Sequence, residues 1–314
     1  MIDVCLLGTG GMMPLPNRFL TSLYLRCHGA GILVDCGEAT QIALRRRGFS
    51  SAQIDYICFT HFHADHISGL PGMLLSMGNA DKTTPVTIIG PKGLEHVVKS
   101  LLVIAPQLPF PIHFHELTSA EKVYEPEAAL LPDFTITAFK VHHNIPCYGY
   151  RFDLSRKGKF NVEAALAAEI DKKYWNPLQK GKTVITEDGR TLTPDLVMGA
   201  ERKGIRLTYV TDSRPTKSII RNAAGADLFI CEGMYGDPEK QQSAKDKCHM
   251  TMYEAAELAR DADVSELWLT HYSPSMVNPQ EYRSAVRQIY PQTVVSKDGR
   301  IFTLRFSEAP PPSP

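Results

Sequence analysis

The amino-acid sequence predicts an α/β fold, and three observations support that class. Short runs rich in β-branched and aromatic residues recur along the 314 residues, as expected for strands. An amphipathic segment with helical spacing, residues 93–102, lies between two such runs. Several of the runs end in Asp, Glu or His, and α/β proteins bind ligands at the ends of their strands. The length suffices for one large domain or for one domain with an insertion.

The composition is that of an ordinary globular protein, with 43% hydrophobic and 22% charged residues. The formal net charge is zero, which argues against a basic coat for nucleic acid but permits a local basic patch. The N-terminus lacks the basic start of a signal peptide, and no apolar run approaches the roughly 18 residues of a membrane span, so we expect no membrane partner. The seven cysteines are scattered without a CxxC pair, which predicts the reducing cytoplasm.

The first strand is predicted over residues 2–7, and it ends in a glycine-rich loop at residues 8–11. A dinucleotide-binding loop would continue into a helix after its glycines. Pro14 and Pro16 follow instead, so the sequence argues against a dinucleotide site.

Alternation within residues 22–27 and 31–35 predicts a β-hairpin. Asp35 stands at the end of its second strand and has two interpretations. It could orient a metal-ligating imidazole, or it could cap the helix that opens within residues 35–41.

The strongest signal is the run HFHADH at residues 61–66, which directly follows a strand-like segment. It contains four possible metal ligands within six residues. Imidazole and carboxylate together suit a first-row divalent metal, with zinc as the default. Ligands this dense can hardly all face one ion. We therefore predict two ions, with His61 and His63 on one and Asp65 and His66 on the other.

Two later histidine pairs lie within or at the end of strands. Residues 134–141 predict a strand that ends at His142 and His143. One of this pair is expected to complete the histidine set of the first ion, and the other points away because neighbouring strand side chains alternate. His113 and His115 have no carboxylate partner nearby in the sequence and are expected to be exposed.

Polar residues also end three apolar runs in the second half of the chain. Asp212 follows residues 207–211, and His271 follows residues 267–270 as a candidate ligand of the second ion. Glu232 ends a run that is otherwise apolar, and an unpaired buried charge is costly, so we interpret it as functional. His249 precedes a predicted helix and could bond to Glu232.

Residues 152–204 differ in character and predict an inserted arm. From Arg151 to Lys182 the chain has eight basic and four acidic residues, together with Tyr174 and Trp175. Basic residues interleaved with aromatics could hold RNA by phosphate contact and stacking, which makes the arm a candidate RNA-binding exosite. The alternative is a solvated helical hairpin or a dimer contact. The Pro-rich residues 308–314 are predicted to be a disordered tail.

The run at residues 61–66 resembles the HxHxDH signature of the metallo-β-lactamase superfamily. That resemblance implies an αββα sandwich, two sheets flanked by helices, formed by residues 1–314 as a single domain with the inserted arm. The signature specifies the chemistry better than the substrate.

The order of elements resembles the bacterial ribonuclease Z family of tRNA 3′-processing endonucleases over nearly the whole chain. The matching segments are residues 35–38, 61–66, 143–151, 187–190, 211–215 and 269–274, together with Glu232 and His249. There are departures. The family's His-Glu-Ala-Thr segment is Cys-Glu-Gly-Met at residues 231–234, and the arm lacks the family's Gly-Pro tip.

The resemblance implies specific roles. His143, seven residues before Tyr150, joins His61 and His63 on one zinc ion, while Asp65, His66 and His271 hold the other, and Asp212 bridges them. Mn or Fe could replace zinc. The ions activate water for attack on phosphorus, Asp65 orients the nucleophile, and His249, polarised by Glu232, protonates the leaving oxygen. The substrate would be precursor tRNA, and the protein would be a cytoplasmic homodimer.

Two other functions fit parts of the sequence. A phosphodiesterase of the same superfamily could act on a small diester or cyclic nucleotide, but such a substrate needs no basic arm. A metal-structured RNA-binding protein is disfavoured, because closed four-ligand coordination suffices for a structural site.

Overall fold

The computed structural model describes residues 1–307, and the predicted tail at residues 308–314 lies outside them. The described strands are β1 (Ile2–Gly8), β2 (Ser22–Cys27), β3 (Ala30–Val34), β4 (Ile54–Cys58), β5 (Val86–Pro91), β6 (Ile112–Leu117), β7 (Glu121–Tyr124), β8 (Phe134–Lys140), β9 (Tyr148–Arg156), β10 (Val184–Ile185), β11 (Thr191–Leu192), β12 (Arg202–Val210), β13 (Leu228–Glu232), β14 (Leu267–Thr270), β15 (Thr293–Val295) and β16 (Arg300–Leu304).

The described α-helices are α1 (Thr40–Arg46), α2 (Ala64–Ile67), α3 (Leu70–Gly78), α4 (Leu94–Leu101), α5 (Val162–Ala167), α6 (Trp175–Gln179), α7 (Lys217–Ala223), α8 (Gln241–Asp246), α9 (Met252–Asp261) and α10 (Arg283–Ile289). Short 3-10 turns occur at Ser51–Gln53, Leu102–Ile104, Lys172–Tyr174, Pro194–Leu196, Pro238–Lys240 and Pro279–Tyr282.

The chain divides into two compact units. The first consists of Met1–Asp153 and Ile205–Arg305. The second consists of Leu154–Gly204 together with residues 306 and 307. The second unit therefore contains the predicted arm, residues 152–204, except for the first two residues of that arm.

The first unit contains two mixed seven-stranded sheets. Their strand orders are β16-β1-β2-β3-β4-β5-β6 and β15-β14-β13-β12-β9-β8-β7. Tyr150 of the second sheet donates from its hydroxyl to the carbonyl oxygen of Phe59, directly after β4 of the first, at 2.7 Å. The two sheets therefore face each other. Strands β3, β13 and β14 are buried along their whole length, as expected for strands covered on both faces.

Helices cover the outer face of each sheet. Apolar residues of α1, α3 and α4 pack in one core with β1–β5, and those of α7, α9 and α10 pack in another with β8 and β12–β14. This arrangement is the predicted αββα sandwich, and the predicted fold class is confirmed. The predicted hairpin is also present, because β2 and β3 pair antiparallel.

Sharp turns follow three strands at the edge where the polar residues gather. Asp35 has φ 56°, Asp212 has φ 51° and His271 has φ 55°. These left-handed conformations are uncommon for residues other than glycine. The chain thus changes direction immediately after each strand, and the side chain at the turn stays at the sheet edge.

The second unit has a small core of its own. Its buried apolar residues are Ala165, Ile170, Leu178, Leu192 and Val197. Trp175 packs against this core and donates from Nε1 to the carbonyl oxygen of Ile170 at 2.9 Å. The indole thus has a structural role in the unit, and stacking of its remaining exposed surface on RNA bases stays a prediction.

Two further observations bear on the environment of the protein. Within residues 1–307, no helix combines the length and apolar composition that a bilayer crossing requires. All seven cysteines are free thiols, and six of them are buried.

Trp175→Ala should destabilise the second unit. Truncating a core Trp to Ala costs about 3–5 kcal/mol, and partial burial of Trp175 places the expected loss toward the lower end. Hydrogen exchange within residues 158–199 should accelerate, while the exposed Lys180→Ala control should leave exchange unchanged. Unchanged exchange in Trp175→Ala combined with weaker RNA binding would instead support the stacking role alone.

Candidate active site

Three imidazoles from two distant segments form a first ligand group. His61 Nε2 lies 3.0 Å from His63 Nδ1, and His143 Nε2 lies 3.3 Å from the same Nδ1 atom. His61 and His63 come from the loop after β4, whereas His143 comes from the loop after β8. Of the pair His142 and His143, the structure brings His143 into the group and leaves His142 exposed.

A second ligand group lies beside the first. His66 Nε2 lies 3.2 Å from His271 Nε2, and each of these atoms lies 3.5 Å from Asp65 Oδ2. Asp65 and His66 are in the short helix α2, while His271 follows β14. The sequence analysis paired Asp65 with His66 and assigned His271 to the same ion, and the three side chains do converge.

The carboxylate of Asp212 lies between the two groups and is almost fully buried. Its Oδ1 is 3.2 Å from His66 Nε2 and 3.1 Å from His271 Nε2. Its Oδ2 is 3.6 Å from His61 Nε2 and 3.8 Å from His143 Nε2. One oxygen therefore faces each group, which is the arrangement that a bridging ligand requires.

The spacing of these atoms tests whether the residues fit metal ions. Nitrogen ligands lie about 2.0–2.1 Å from zinc, so two ligands of a tetrahedral ion are about 3.3 Å apart. The nitrogen–nitrogen distances in the two groups are 3.0, 3.3 and 3.2 Å. Imidazole nitrogen and carboxylate oxygen are also the atoms that such an ion prefers. The residues fit.

Asp35 orients two of the imidazoles. Its Oδ2 accepts from His66 Nδ1 at 2.9 Å, and its carboxylate accepts from the amide and hydroxyl of Thr60. Because that hydroxyl gives its only proton to Asp35, it can only accept from His61 Nδ1, 3.0 Å away. Both imidazoles are thereby left with Nε2 directed at the ligand groups. The capping interpretation of Asp35 is wrong, since Ala39 is the N-cap of α1.

The remaining imidazoles are held in different ways. His143 Nδ1 donates to the carbonyl oxygen of Cys248 at 3.2 Å. His271 Nδ1 is buried and has no hydrogen-bond partner within residues 1–307. Packing holds the His271 ring instead. A Cβ atom built on Gly11 would lie 2.6 Å from His271 Cε1, so only glycine leaves room for the ring there.

The glycine loop after β1 also reaches the second group through its backbone. The amide of Met12 donates to Asp65 Oδ2 at 2.7 Å. Reasoning from the sequence used this loop only to argue against a dinucleotide site and missed its contacts with Asp65 and His271. Two glycines at a strand end were the available signal, but they do not indicate which side chain approaches them.

The charges of the site favour metal binding and couple it to proton release. Burial and the neighbouring imidazoles, foremost His66, hold the pKa of His61 well below its usual value, so its lone pair is available. His66 is different. Burial would lower its pKa, but the carboxylates of Asp212 and Asp35 outweigh burial and raise that pKa well above its usual value. A metal ion held at His66 would therefore compete with a proton for the same nitrogen.

Glu232 and His249 form a buried pair next to Asp212. His249 Nδ1 lies 3.0 Å from Glu232 Oε2 and 3.9 Å from Asp212 Oδ2. Glu232 also accepts from the amide of Ser213. Burial would lower the pKa of the His249 imidazolium, but Glu232 more than compensates and raises that pKa to about 9. The predicted contact between Glu232 and His249 is present.

The backbone of His249 is held by an ion pair that the sequence analysis did not find. Arg214 donates to the carbonyl oxygen of His249 and pairs with the carboxylate of Glu254. Glu254 also closes a capping box with Thr251 at the start of α9. The Thr-x-x-Glu spacing at residues 251–254 was the signal that could have pointed to this cap.

Two histidines that the sequence analysis set aside lie elsewhere. His113 and His115 are exposed on β6, as expected. The carbonyl oxygen of the exposed His142 accepts from the amide of Arg214 at 2.9 Å, which joins the loop after β8 to the loop after β12.

Comparison with known proteins places these observations in a family. The family model described as "Anti-Pycsar protein Apyc1" matches residues 2–196, and the model described as "Beta-lactamase superfamily domain" matches residues 177–272. The ribonuclease Z of Lachnoclostridium phytofermentans is 56% identical over 308 residues, which cover 98% of this chain and 99% of that protein. The ribonuclease Z of Lachnospira eligens is 54% identical, with 98% and 99% covered.

Solved structures share the fold of this chain. The short form of human tRNase Z has a TM-score of 0.70 and 23% identity, covering 97% of this chain and 100% of that chain. The metallo-β-lactamase fold protein YhfI from Bacillus subtilis has a TM-score of 0.66 and 20% identity, covering 96% and 98%. The curated relatives confirm the predicted family and the predicted metal-dependent hydrolase. The chain belongs to the ribonuclease Z family of metal-dependent endoribonucleases, and its residues 2–196 also place it in the family described as Anti-Pycsar protein Apyc1.

Proposed function

We propose that this protein is an endonuclease that removes the 3′ trailer of precursor tRNA with the help of two bound zinc ions. One observation carries the proposal above all. Two ligand groups share the carboxylate of Asp212 beside the buried pair of His249 and Glu232. This arrangement occurs in a chain more than half identical to proteins named ribonuclease Z.

The seven proposed metal ligands divide into two sets. His61, His63 and His143 would hold one ion, Asp65, His66 and His271 the other, and Asp212 would bridge them. When bound, such ions supply an activated water as nucleophile and neutralise charge on the phosphate oxygens. The donor atoms alone do not distinguish zinc from Mn or Fe, which stay alternatives.

We assign Asp65 a second role as the residue that orients the nucleophile. Its carboxylate borders the second ligand group, and the amide of Met12 restrains it by donating to Asp65 Oδ2 at 2.7 Å. A restrained carboxylate next to the reacting water can hold that water's proton in a fixed direction.

The leaving oxygen of RNA requires a proton, and we assign His249 as its donor. Glu232 holds the imidazole through Nδ1, which leaves Nε2 to face substrate. The same carboxylate favours the protonated imidazole, as the raised pKa of about 9 indicates. His249 also lies close enough to Asp212 and His271 to act as a metal ligand, so the test of its role must include the metal content.

The second unit is the proposed RNA-binding element. It contributes none of the seven ligands, and its lysines Lys180 and Lys182 are exposed beside α6. Lysines can contact phosphates without regard to base sequence. We keep the homodimer and the cytoplasmic location as further proposals, and seven free thiols fit a reducing compartment.

The decisive experiment compares two substrates with the metal-loaded protein. Precursor tRNA with a 3′ trailer should be cut once, leaving a 3′-hydroxyl on the tRNA and a 5′-phosphate on the trailer. Bis(p-nitrophenyl) phosphate should be hydrolysed as a generic diester. Hydrolysis of only the small diester would favour the alternative phosphodiesterase function, and retention of RNA without cleavage would favour a binding protein.

His63→Ala should lose both metal and activity. The wild-type protein should carry about two ions per chain, and removal of the nitrogen that faces both His61 and His143 should empty the first set. Elemental analysis and both substrates provide the readout. His142→Ala, which alters an exposed neighbour, is the matched control. A fully active His63→Ala protein would overturn the ligand assignment.

Replacing residues 158–199 with two glycines should separate RNA binding from chemistry. The segment can be bridged, because a Cβ on Gly158 would lie 1.9 Å from the carbonyl oxygen of Gly199. Cleavage of precursor tRNA should fall strongly through a higher KM, while hydrolysis of the small diester stays nearly intact. Equal loss of both activities would mean that the unit is structural.

A finer version of this test changes charge alone. The double substitution Lys180→Glu with Lys182→Glu should raise KM for precursor tRNA and reduce its salt dependence, because phosphate contacts release counterions. Lys92→Glu, an exposed lysine of the first unit, is the matched control. An equal effect of the control would point to net charge and not to a binding surface.

His249→Ala should affect the two substrates unequally. The leaving group in RNA cleavage is the 3′-oxygen, which is a poor leaving group and needs a proton. Nitrophenolate is a good leaving group and departs without one. Since general acid catalysis is worth about 10²–10⁴-fold, RNA cleavage should fall by that factor and diester hydrolysis much less. Glu232→Gln should show a milder version. Loss of metal from His249→Ala would instead make His249 a ligand, and an equal fall on both substrates would remove the acid role.

A further inference from the structure

Asp298 lies in the turn before β16 and connects that turn to the loop after β1. Its Oδ1 accepts from the amide of Thr9 at 2.9 Å and from the Thr9 hydroxyl at 2.7 Å. Its Oδ2 accepts from the amide of Phe19. Asp298 is partly buried and lies 289 residues after Thr9 in the sequence. Three donors thus converge on one carboxylate at the start of the glycine loop.

The nearby cation Arg18 does not form a direct pair with this carboxylate. Arg18 donates to the carbonyl oxygens of Ser273, Met276 and Val277. The carboxylate oxygens of Asp298 therefore accept from the Thr9 amide, the Thr9 hydroxyl and the Phe19 amide. Hydrogen bonds from backbone groups to a carboxylate fix the position of the loop more strictly than an exposed ion pair would.

The loop that Asp298 holds reaches the second ligand group at two points. Met12 donates its amide to Asp65 Oδ2, and Gly11 lies against the ring of His271. The loop is also joined to the segment after His271. Gly11 donates to the carbonyl oxygen of Tyr272 at 3.0 Å, and the amide of Tyr272 donates to the carbonyl oxygen of Thr9 at 2.8 Å.

We infer that Asp298 is a positioning residue for the second metal ion, acting through the loop of residues 9–12 on Asp65 and His271. The inference rests on the ligand assignment of the proposed function but not on the identity of the substrate. The first ligand group has no part in this chain of contacts, because His61, His63 and His143 come from the loops after β4 and β8.

The physical consequence of losing Asp298 is asymmetric. Without the carboxylate, the amides of Thr9 and Phe19 lose their acceptors, and the loop keeps only its backbone bonds to neighbouring segments. The Met12 amide then restrains Asp65 less strictly, and Gly11 confines the His271 ring less closely. The second ion should bind more weakly, while the site for the first ion keeps its geometry.

The test is metal binding by the full-length protein, measured by competition with a chelator and by absorption after Co²⁺ loading. Removal of a residue that orients metal ligands typically costs about 10–100-fold in affinity. In Asp298→Ala we expect a loss of that size in one of the two binding steps and no change in the other. Asp298→Asn, which keeps one acceptor oxygen for Thr9 and loses the one for Phe19, should show a smaller loss.

Asp3 provides the matched control. It lies at the other end of β1 and accepts from Arg26 and from the hydroxyl of Thr303 on β16, so it also joins β1 to the end of the chain. Asp3→Ala should lower thermal stability without changing either metal affinity. If Asp3→Ala weakens the second ion as much as Asp298→Ala does, the inference fails.

Gly11→Ala tests the same loop from its other end. This variant replaces Asp298→Ala in the metal-binding test if Asp298→Ala does not fold. Its new Cβ would lie 2.6 Å from the His271 ring, so the second ion alone should again be weakened. Gly72→Ala is the control, since its Cβ would meet only the flexible amide of Gln41. Equal weakening of both ions, or no change in either, would overturn the positioning role whether or not the protein cleaves precursor tRNA.

Discussion

The site depends on a single shared carboxylate, Asp212, buried between two groups of side chains that could hold metal ions. A charge in such a place is costly unless positive charge compensates it. Burial opposes its ionisation, but the surrounding imidazoles, foremost those of His271 and His66, hold its pKa well below the usual value. Divalent ions on both sides would supply this compensation more fully and would repel each other less across the carboxylate. The positions of β12 and its neighbours are therefore constrained by where Asp212 must lie.

The left-handed turns at Asp35, Asp212 and His271 show how the sheet edge is converted into a site. A residue held in this conformation costs on the order of 1–3 kcal/mol, and glycine or asparagine would occupy it more easily. At each turn the side chain is a proposed ligand or orients one, so glycine could not replace it. The strands before these turns are buried in the sheets, and their packing fixes the turns and offsets their cost.

The sequence was informative where chemistry and local pattern coincide. The HFHADH run follows an apolar strand, and Asp212, Glu232 and His271 each end an apolar run, so their residue types and positions indicated the site. Other parts of the site had no such signal. Met12 acts through a backbone amide, which any residue carries. Asp298 acts across almost the whole chain, and one Asp in a terminal turn is unremarkable by composition. The partial burial of Trp175 depends on a small core within the arm. The basic composition of the arm gave no indication of that core.

The two ligand groups draw on both sheets of the sandwich. His61, His63, Asp65 and His66 follow a strand of the first sheet, whereas Asp212 and His271 follow strands of the second. Ions held as proposed would link the two sheets. Because the ligands converge only in the folded chain, the ions would bind the folded chain far better than the unfolded one. Binding then becomes a term in the folding equilibrium: free metal at 100 times its dissociation constant adds about 2.7 kcal/mol for one site. The resistance of this fold to heat would thus vary with the metal supply of its surroundings.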